Sequence, residues 1–407
     1  MVHKCTKKIK SGKRKDELCD RVVEIGRDMC KIHTRYDTSD CNIDTIETLE
    51  YKLKNLNTTR ENKVMITKRF RYLELLPVTS PEYLKHTNWL RYALNFPYNS
   101  TVKVPVSINA PLKIISKYVT DVYMKLDNYI YGMKNVKEEL ITFICKKISN
   151  PSSSNHILSL KGENGVGKTR LAHGLAKALD LPIRTINLGC INDVSYFTGH
   201  GFTYADSEPG RIVKILNETA CKNCIIYFDE LDKINDSQKG QSINAFLTHL
   251  IDNSQNYKFQ DSYLAGLDLD ISQVLFVFSL NDESLLDKTV RDRLKIINVP
   301  VPSESDQVKI AQKFIIPEIC RNLEYTFDVE IDTIKNIVSI VNKHNQGLRQ
   351  VKRTLDEIIS KFNVLRMLTL VDKEKMSFFE NDERKIISKI TQSLLTSYAV
   401  PNLSYYS

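Results

Sequence analysis

The sequence predicts an α/β fold: a parallel sheet covered by helices, with a smaller helical domain after it and a helical extension before it. Three observations predict it. Short apolar runs alternate with helical stretches between residues 157 and 299. A Gly-rich loop, Gly162-Glu163-Asn164-Gly165-Val166-Gly167-Lys168-Thr169, lies between an apolar run and a helix-forming stretch. The apolar run Ile225-Ile226-Tyr227-Phe228 ends in two carboxylates, Asp229 and Glu230.

The elements follow in chain order. Residues 1–16 carry Lys4, Lys7, Lys8, Lys10, Lys13, Arg14 and Lys15 and read as a basic, unstructured arm. Residues 17–74 have mixed charge and recurring apolar positions such as Ile46, Leu49 and Leu53, which suit helices broken near Asn57-Thr58-Thr59. Pro77 and Pro81 mark a turn, a helix over 82–94 follows, and 99–112 is a connector. A helical stretch over 114–148 is interrupted at Tyr131-Gly132. Strands are expected at 157–160, 183–187, 225–228, 274–279 and 295–299. Helices are expected at 168–179, 212–220 and 242–251. Beyond Pro302 the pattern is helical throughout, at 305–314, 331–343, 348–362 and 380–395. The corresponding domains are 1–16, 17–112, 113–302, 303–365 and 366–407.

Composition narrows the function. The 407 residues are 42% hydrophobic and 26% charged, as in a globular chain. No run of about 18 apolar residues offers a membrane span, and no apolar run follows the basic N-terminus as in a secretory signal. The nine cysteines suit a reducing intracellular compartment, such as the cytoplasm, better than a disulfide scaffold. Cys221 and Cys224 are a close pair without the two further ligands a zinc site needs. The net charge of +9 is concentrated in the arm, which suits contact with nucleic acid or acidic surfaces, or a solvated tail. Richness in Lys, Asn and Ile points to an AT-rich genome, such as that of a large DNA virus or a protist.

The Gly-rich loop is a phosphate cradle. Glycines let main-chain amides turn inward, and the helix that starts at Lys168 adds its positive end. The cradle comprises Gly162, Glu163, Asn164, Gly165, Val166, Gly167, Lys168, Thr169 and Arg170. Lys168 suits the β- and γ-phosphates of ATP, and the Thr169 hydroxyl suits Mg²⁺. Asp229, at the end of an apolar strand, is a second Mg²⁺ candidate, and Glu230 is placed to polarise an attacking water. Asn281 ends the fourth strand, where its amide can hold that water or a phosphate oxygen. Arg291, Arg293 and Arg349 are candidate positive charges for phosphoryl transfer.

From about Tyr72 to Ile359 the chain resembles the ATPase portion of Lon proteases, a branch of the AAA+ superfamily. Tyr72-Leu73-Glu74-Leu75-Leu76-Pro77, Asn88-Trp89-Leu90 and Tyr131-Gly132-Met133-Lys134 carry the resemblance before the Gly-rich loop. The stretch Thr198-Gly199-His200-Gly201-Phe202-Thr203-Tyr204, continuing to Ile212, is similar to the family's aromatic pore loop. Residues 257–264 are similar to its second pore-facing segment. The resemblance implies that Tyr204 grips a polypeptide substrate, that Asn281 and Arg349 are sensors, and that Arg293 is an arginine finger entering a neighbour's site. It thereby implies a homo-oligomeric, hexameric ring. Ala205 stands where the family has an aliphatic residue, and Glu163 and Asn164 replace two prolines. The residues after Ser360 do not resemble the family's Ser-Lys protease domain. The expected activity is therefore ATP-driven remodelling of polypeptides without a protease site of its own. Alternatives are the ATPase subunit of a split ATP-dependent protease, with a separate protease subunit as partner, and a nucleic-acid-associated ATPase.

Overall fold

The computed structural model describes residues 45–102, 106–150, 157–204, 206–234, 237–252, 255–327, 329–343 and 347–367. The basic arm, the helical positions before residue 45, Ala205 and the expected helix over 380–395 lie outside these residues.

In chain order the elements are α1 (Ile46–Lys54), α2 (Arg60–Leu75), α3 (Pro81–Asn95), α4 (Leu112–Tyr129) and α5 (Lys134–Ser149). Next come β1 (Ile157–Lys161), α6 (Lys168–Ala178), β2 (Ile183–Asn187), α7 (Arg211–Thr219), β3 (Ile225–Asp229), α8 (Gln238–Leu250), β4 (Leu275–Leu280) and β5 (Lys295–Asn298). The last are α9 (Glu304–Ile310), α10 (Ile316–Asn322), α11 (Ile331–Lys343) and α12 (Gly347–Met367).

Local chemistry sets many boundaries. Thr59 caps α2 by accepting from the Asn62 amide, so the expected break at 57–59 is a helix start. Ser80 caps α3, and Pro81 occupies its first turn, where a missing N–H costs nothing. The interruption at Tyr131-Gly132 is two consecutive left-handed residues, Gly132 and Met133 (φ 62° and 52°). Two expectations change. The helix expected from Ser242 begins at Gln238, because the Ser237 hydroxyl caps it by accepting from the Gly240 amide. The helix expected to end at Phe314 runs on through a π turn, Ala311–Ile315, directly into α10. Pro317 has no N–H to donate and crowds the carbonyl four residues back. The wider turn just before it absorbs that mismatch.

The chain packs as two compact units. Among the described residues, the first takes those up to Asn99, with those of Gly199–Ala220 and Gln260–Asp268. The second takes those of Ser100–Thr198, of Cys221–Phe259 and from Leu269 to Met367.

In the first unit, buried side chains of α1–α3 and α7 form the core, among them Leu49, Phe70, Trp89, Leu90 and Ile212. Polar side chains then fix two loops to the helices. The Asn62 amide exchanges two hydrogen bonds with the Asp268 main chain, at 2.8 and 3.0 Å. The Trp89 indole donates to the Tyr263 carbonyl at 2.9 Å. The Arg69 guanidinium lies 4.3 Å from the Trp89 ring centre and 3.9 Å from that of Phe202. Two aromatic faces thus hold one cation. Asp261, 1% exposed, accepts from the amides of Gly210 (2.8 Å), Tyr263 (2.9 Å) and Leu264 (3.0 Å). It ties the entry of α7 to the loop over 260–268.

The second unit holds a five-stranded parallel sheet in the order β2-β3-β4-β1-β5. All residues of β4 are buried, as expected of a strand covered on both faces. Alternation sorts the side chains of β3 and β4. Ile225, Tyr227, Leu275 and Val277 share a core with Leu171 and Leu175 of α6 and with Val122 and Leu126 of α4. The intervening Phe228 and Phe278 stack on each other on the other face, with ring centres 4.9 Å apart. Helices α9–α12 have their own core, including Ile315, Ile319, Ile334, Val338, Val351 and Leu355.

Asp261 makes the stability of the first unit pH-dependent. Burial raises its carboxyl to about 6 from 3.8, against the downward pull of the three amides and of Lys214. A carboxyl raised by folding contributes stability that is complete below its unfolded value and is lost as pH rises through the folded value. The stability of the native protein relative to Asp261→Asn is therefore expected to fall on the order of 3 kcal/mol between about pH 4 and 7. Denaturant unfolding at stepped pH measures it, and a constant difference would contradict the assignment.

Candidate functional site

Three neighbouring strands end at one edge of the sheet. Register pairs Lys161 of β1 with Leu280 of β4, and Phe228 of β3 with Phe278 of β4. The Gly-rich loop, Asn281 and the pair Asp229-Glu230 therefore leave the same edge. This is the carboxyl edge of a parallel sheet, where such folds hold ligands.

The loop is held close to the sheet. The Gly162 amide donates to the Leu280 carbonyl at 3.2 Å. A Cβ on Gly162 would lie 2.6 Å from the Val299 carbonyl, so a hydrogen is all that fits. Gly165 and Gly167 are left-handed (φ 83° and 106°), and Gly167 precedes the first turn of α6. Val166 is buried, whereas the side chains of Glu163 and Asn164 are exposed.

Lys168 opens α6 and is 8% exposed. Its Nζ donates to the carbonyls of Gly162 (2.6 Å) and Glu163 (2.9 Å) and to Oδ1 of Asn281 (2.8 Å). Burial holds its ammonium below the usual range. Asp229, Asp232 and Glu230 pull the other way, and Arg349 adds to the lowering. Asn281 in turn donates from Nδ2 to Asp232 at 3.2 Å.

A second chain of polar groups joins α6 to the strands. The hydroxyls of Thr169 and Tyr227 are 3.3 Å apart, and the Tyr227 hydroxyl donates to Oδ1 of Asp229 at 3.1 Å. Ser279 also donates to that oxygen. The Glu230 amide donates to the Ser279 hydroxyl at 3.2 Å. Burial pushes the Tyr227 phenol well above its usual range, so it stays neutral. Glu230 is left-handed (φ 63°), and its Oε2 lies 2.8 Å from the place a Cβ on Gly189 would take.

The arginines separate. Arg349, near the start of α12, packs on the loop. A Cβ on Gly165 would lie 3.1 Å from its Cβ and 3.3 Å from its main-chain nitrogen. Arg293 is exposed and donates to the Thr289 carbonyl at 2.9 Å, away from the Lys168 cluster. Arg291 bonds Glu283. Arg170 turns its guanidinium from the cradle to the Tyr129 carbonyl (3.0 Å), the Phe314 ring (4.6 Å to its centre) and Glu318 (3.7 Å). Tyr204 belongs to the first unit, is 69% exposed, and sits in a turn closed by its amide on the Gly201 carbonyl at 3.1 Å.

Sequence reasoning missed Tyr227, Ser279 and Asp232. A strand period of two, counted back from Asp229 and from Asn281, would have found the first two. Asp232 is 5% exposed, and its Oδ1 has no hydrogen-bond partner. Among the described residues no group of three or more His, Cys, Asp or Glu side chains can hold a metal by itself, and no helix is long and apolar enough to cross a membrane.

Comparison with known proteins agrees with this geometry. The model of the AAA family, the ATPase family associated with various cellular activities, matches residues 158–301. A Lon protease homolog of Acanthamoeba polyphaga mimivirus is 36% identical over 253 residues, covering 61% of this chain and 25% of that protein. The Lon protease of Clostridium acetobutylicum is 30% identical over 333 residues, covering 81% of this chain and 41% of that protein. Lon protease 2 of Borreliella burgdorferi is 30% identical over 355 residues, with coverages of 86% and 41%. The chain thus spans between 25% and 41% of the length of these relatives. The parallel sheet with its surrounding helices is an AAA+ α/β fold, and the module is Lon-like.

The contact between Gly165 and Arg349 can be tested. Gly165→Ala combines a left-handed backbone with a methyl group against Arg349. It is expected to cost about 1–3 kcal/mol of stability, measured by denaturant unfolding. A variant as stable as the native protein would show that the loop has room there.

Proposed function

We propose that this chain is an ATPase of the Lon type that binds Mg-ATP at the Lys168 cluster, hydrolyses it, and uses the energy to remodel polypeptides. The observation that carries the reading is the convergence of Lys168, Asn281 and the Asp229-Glu230 pair on the edge formed by β1, β4 and β3.

The roles follow from position. Inward amides over Gly162–Gly167 and the start of α6 bind phosphate oxygens, with Glu163, Asn164 and Val166 contributing main chain. Lys168, drawn to oxygens of its own loop, exchanges them for the β- and γ-phosphates. Arg170 contributes its main chain, while its side chain serves elsewhere. The donor set fits a hard cation: a hydroxyl on Thr169 and a carboxylate on Asp229 are linked through one phenol, few enough for Mg²⁺, which is bound by one or two carboxylates and substrate phosphates. When bound, Mg²⁺ neutralises charge on the phosphates and stabilises the transition state. Glu230 takes a proton from the attacking water, and Asn281 orients that water or a γ-phosphate oxygen. Arg349 senses the nucleotide from α12.

Arg293 is the finger for a neighbouring subunit. Its exposure supports a role in trans and hence a homo-oligomeric, hexameric ring. Tyr204 grips the polypeptide at the pore, supported by its exposure on a tight turn. The working parts are the α/β domain over 113–302 and the helical domain over 303–365, with the helical region over 17–112 before them. Cleavage of peptide bonds is not assigned to this chain, which acts alone or hands its substrate to a separate protease subunit. The odd number of cysteines, nine, supports a reducing intracellular setting.

Two experiments test the reading. Glu230→Gln and Arg293→Ala are each expected to lose ATP turnover, the latter on the order of 10³-fold, while binding ATP. Mixed, they are expected to regain turnover, because a Glu230→Gln subunit lends its Arg293 to an intact Glu230 site next door. No recovery on mixing, or full turnover by Arg293→Ala, would remove the trans finger. Unfolded polypeptide is expected to stimulate turnover by the native protein and not by Tyr204→Ala. Equal stimulation of both would remove Tyr204 from the substrate path.

A further inference from the structure

Tyr227 is a hydroxyl in the middle of an otherwise apolar strand, Ile225-Ile226-Tyr227-Phe228, and its side chain is fully buried. A phenol there costs desolvation unless it is hydrogen-bonded. Phenylalanine at positions 228, 276 and 278 shows that the sheet accepts rings without hydroxyls. The hydroxyl therefore adds something that packing does not need.

Its bonds have a direction. The Tyr227 proton goes to Oδ1 of Asp229 at 3.1 Å. With that proton committed, the contact to Thr169 at 3.3 Å is made by the Thr169 hydrogen, donated to the phenol oxygen. The Ser279 proton goes to the same Oδ1 of Asp229. The relay Thr169 to Tyr227 to Asp229 thus leaves the Thr169 oxygen its lone pairs and leaves Asp229 its Oδ2, which takes neither bond. A metal ligand needs that: a hydroxyl hydrogen turned away and a carboxylate oxygen kept open. Partners behind the ligands orient them and set metal affinity.

We infer that Tyr227 is a positioning residue for the divalent cation, its phenol joining the hydroxyl of Thr169 to the carboxylate of Asp229 so that both present oxygen together. The inference rests on the Mg-ATP reading of the site and adds to it a residue outside the loop and the acidic pair. Tyr227 touches neither substrate nor cation. It acts through the two side chains it links.

The test uses the full chain, native and Tyr227→Phe, which keeps the ring and removes one oxygen. A fluorescent ATP analogue is titrated in EDTA and then at stepped Mg²⁺, and bound Mn²⁺ is counted by electron paramagnetic resonance. The native protein is expected to bind the analogue more tightly as Mg²⁺ rises. Tyr227→Phe is expected to match its affinity in EDTA and to need on the order of 10-fold more Mg²⁺, and more Mn²⁺ to fill the site. An unchanged Mg²⁺ midpoint overturns the inference. So does an equal loss of affinity in EDTA, which would mark a general disturbance of the fold. If Tyr227→Phe melts early, both proteins are titrated at a temperature at which their circular dichroism shows both folded, and the same outcomes decide: a raised Mg²⁺ midpoint supports the relay and an unchanged one overturns it. Failure of the native protein to bind the analogue would overturn the ATPase reading itself, and the inference with it.

Discussion

The parallel pairing of β1, β4 and β3 is the constraint on which the site depends. Each strand runs into a polar segment at its carboxyl end, and register brings the three segments together. Lys168 reaches Asn281, and Ser279 reaches Asp229, because these strands are neighbours in space although far apart in sequence. A slip of one residue in β3 would turn Tyr227 and Asp229 to the opposite face and break both links. The apolar faces that lock this register are also the main core of the second unit. Stability and the geometry of the site therefore come from the same side chains.

Around that edge, charge is balanced rather than simply positive. Lys168 is buried among carbonyls and an amide, with three carboxylates near enough to support its charge and Arg349 opposing it. The three Lys168 hydrogen bonds, to two carbonyls of its own loop and to the Asn281 amide, keep the ammonium partnered where it is buried. Arg349 lies against Gly165, so the first turn of α12 and the loop are in van der Waals contact. Arg170 makes a second tie to the helical part, through the Phe314 ring in the π turn and through Glu318, which also pairs with Lys352 of α12. The Gly-rich loop and the start of α6 are thus tied to the C-terminal helices at two places, Arg349 and Arg170.

In the first unit the loop that carries Tyr204 belongs with the N-terminal helices. Phe202 packs on Arg69, and Asp261 bridges the entry of α7 to the loop over 260–268. The base of the Tyr204 loop is held by buried, directional contacts, while Tyr204 itself stands exposed.

The sequence alone determined what is local. Loop glycines, the lysine and threonine after them, and an apolar strand ending in acids are linear patterns whose chemistry follows from neighbours in the chain. Some helix starts were equally legible, because a capping Ser acts within one turn, as Ser80 does for α3 and Ser303 for α9. Tertiary structure decided what depends on strand order and on direction. That Ser279 and Tyr227 converge on Asp229 follows from β3 lying beside β4. That Arg170 leaves the cradle follows from where Phe314 and Glu318 pack. That residues 199–220 and 260–268 join the N-terminal helices follows from hydrogen bonds and ring contacts between segments up to 206 positions apart. Local pattern fixes which groups are available, and only the packed sheet and its loops decide which of them meet, because a side chain's partner is set by distance in space.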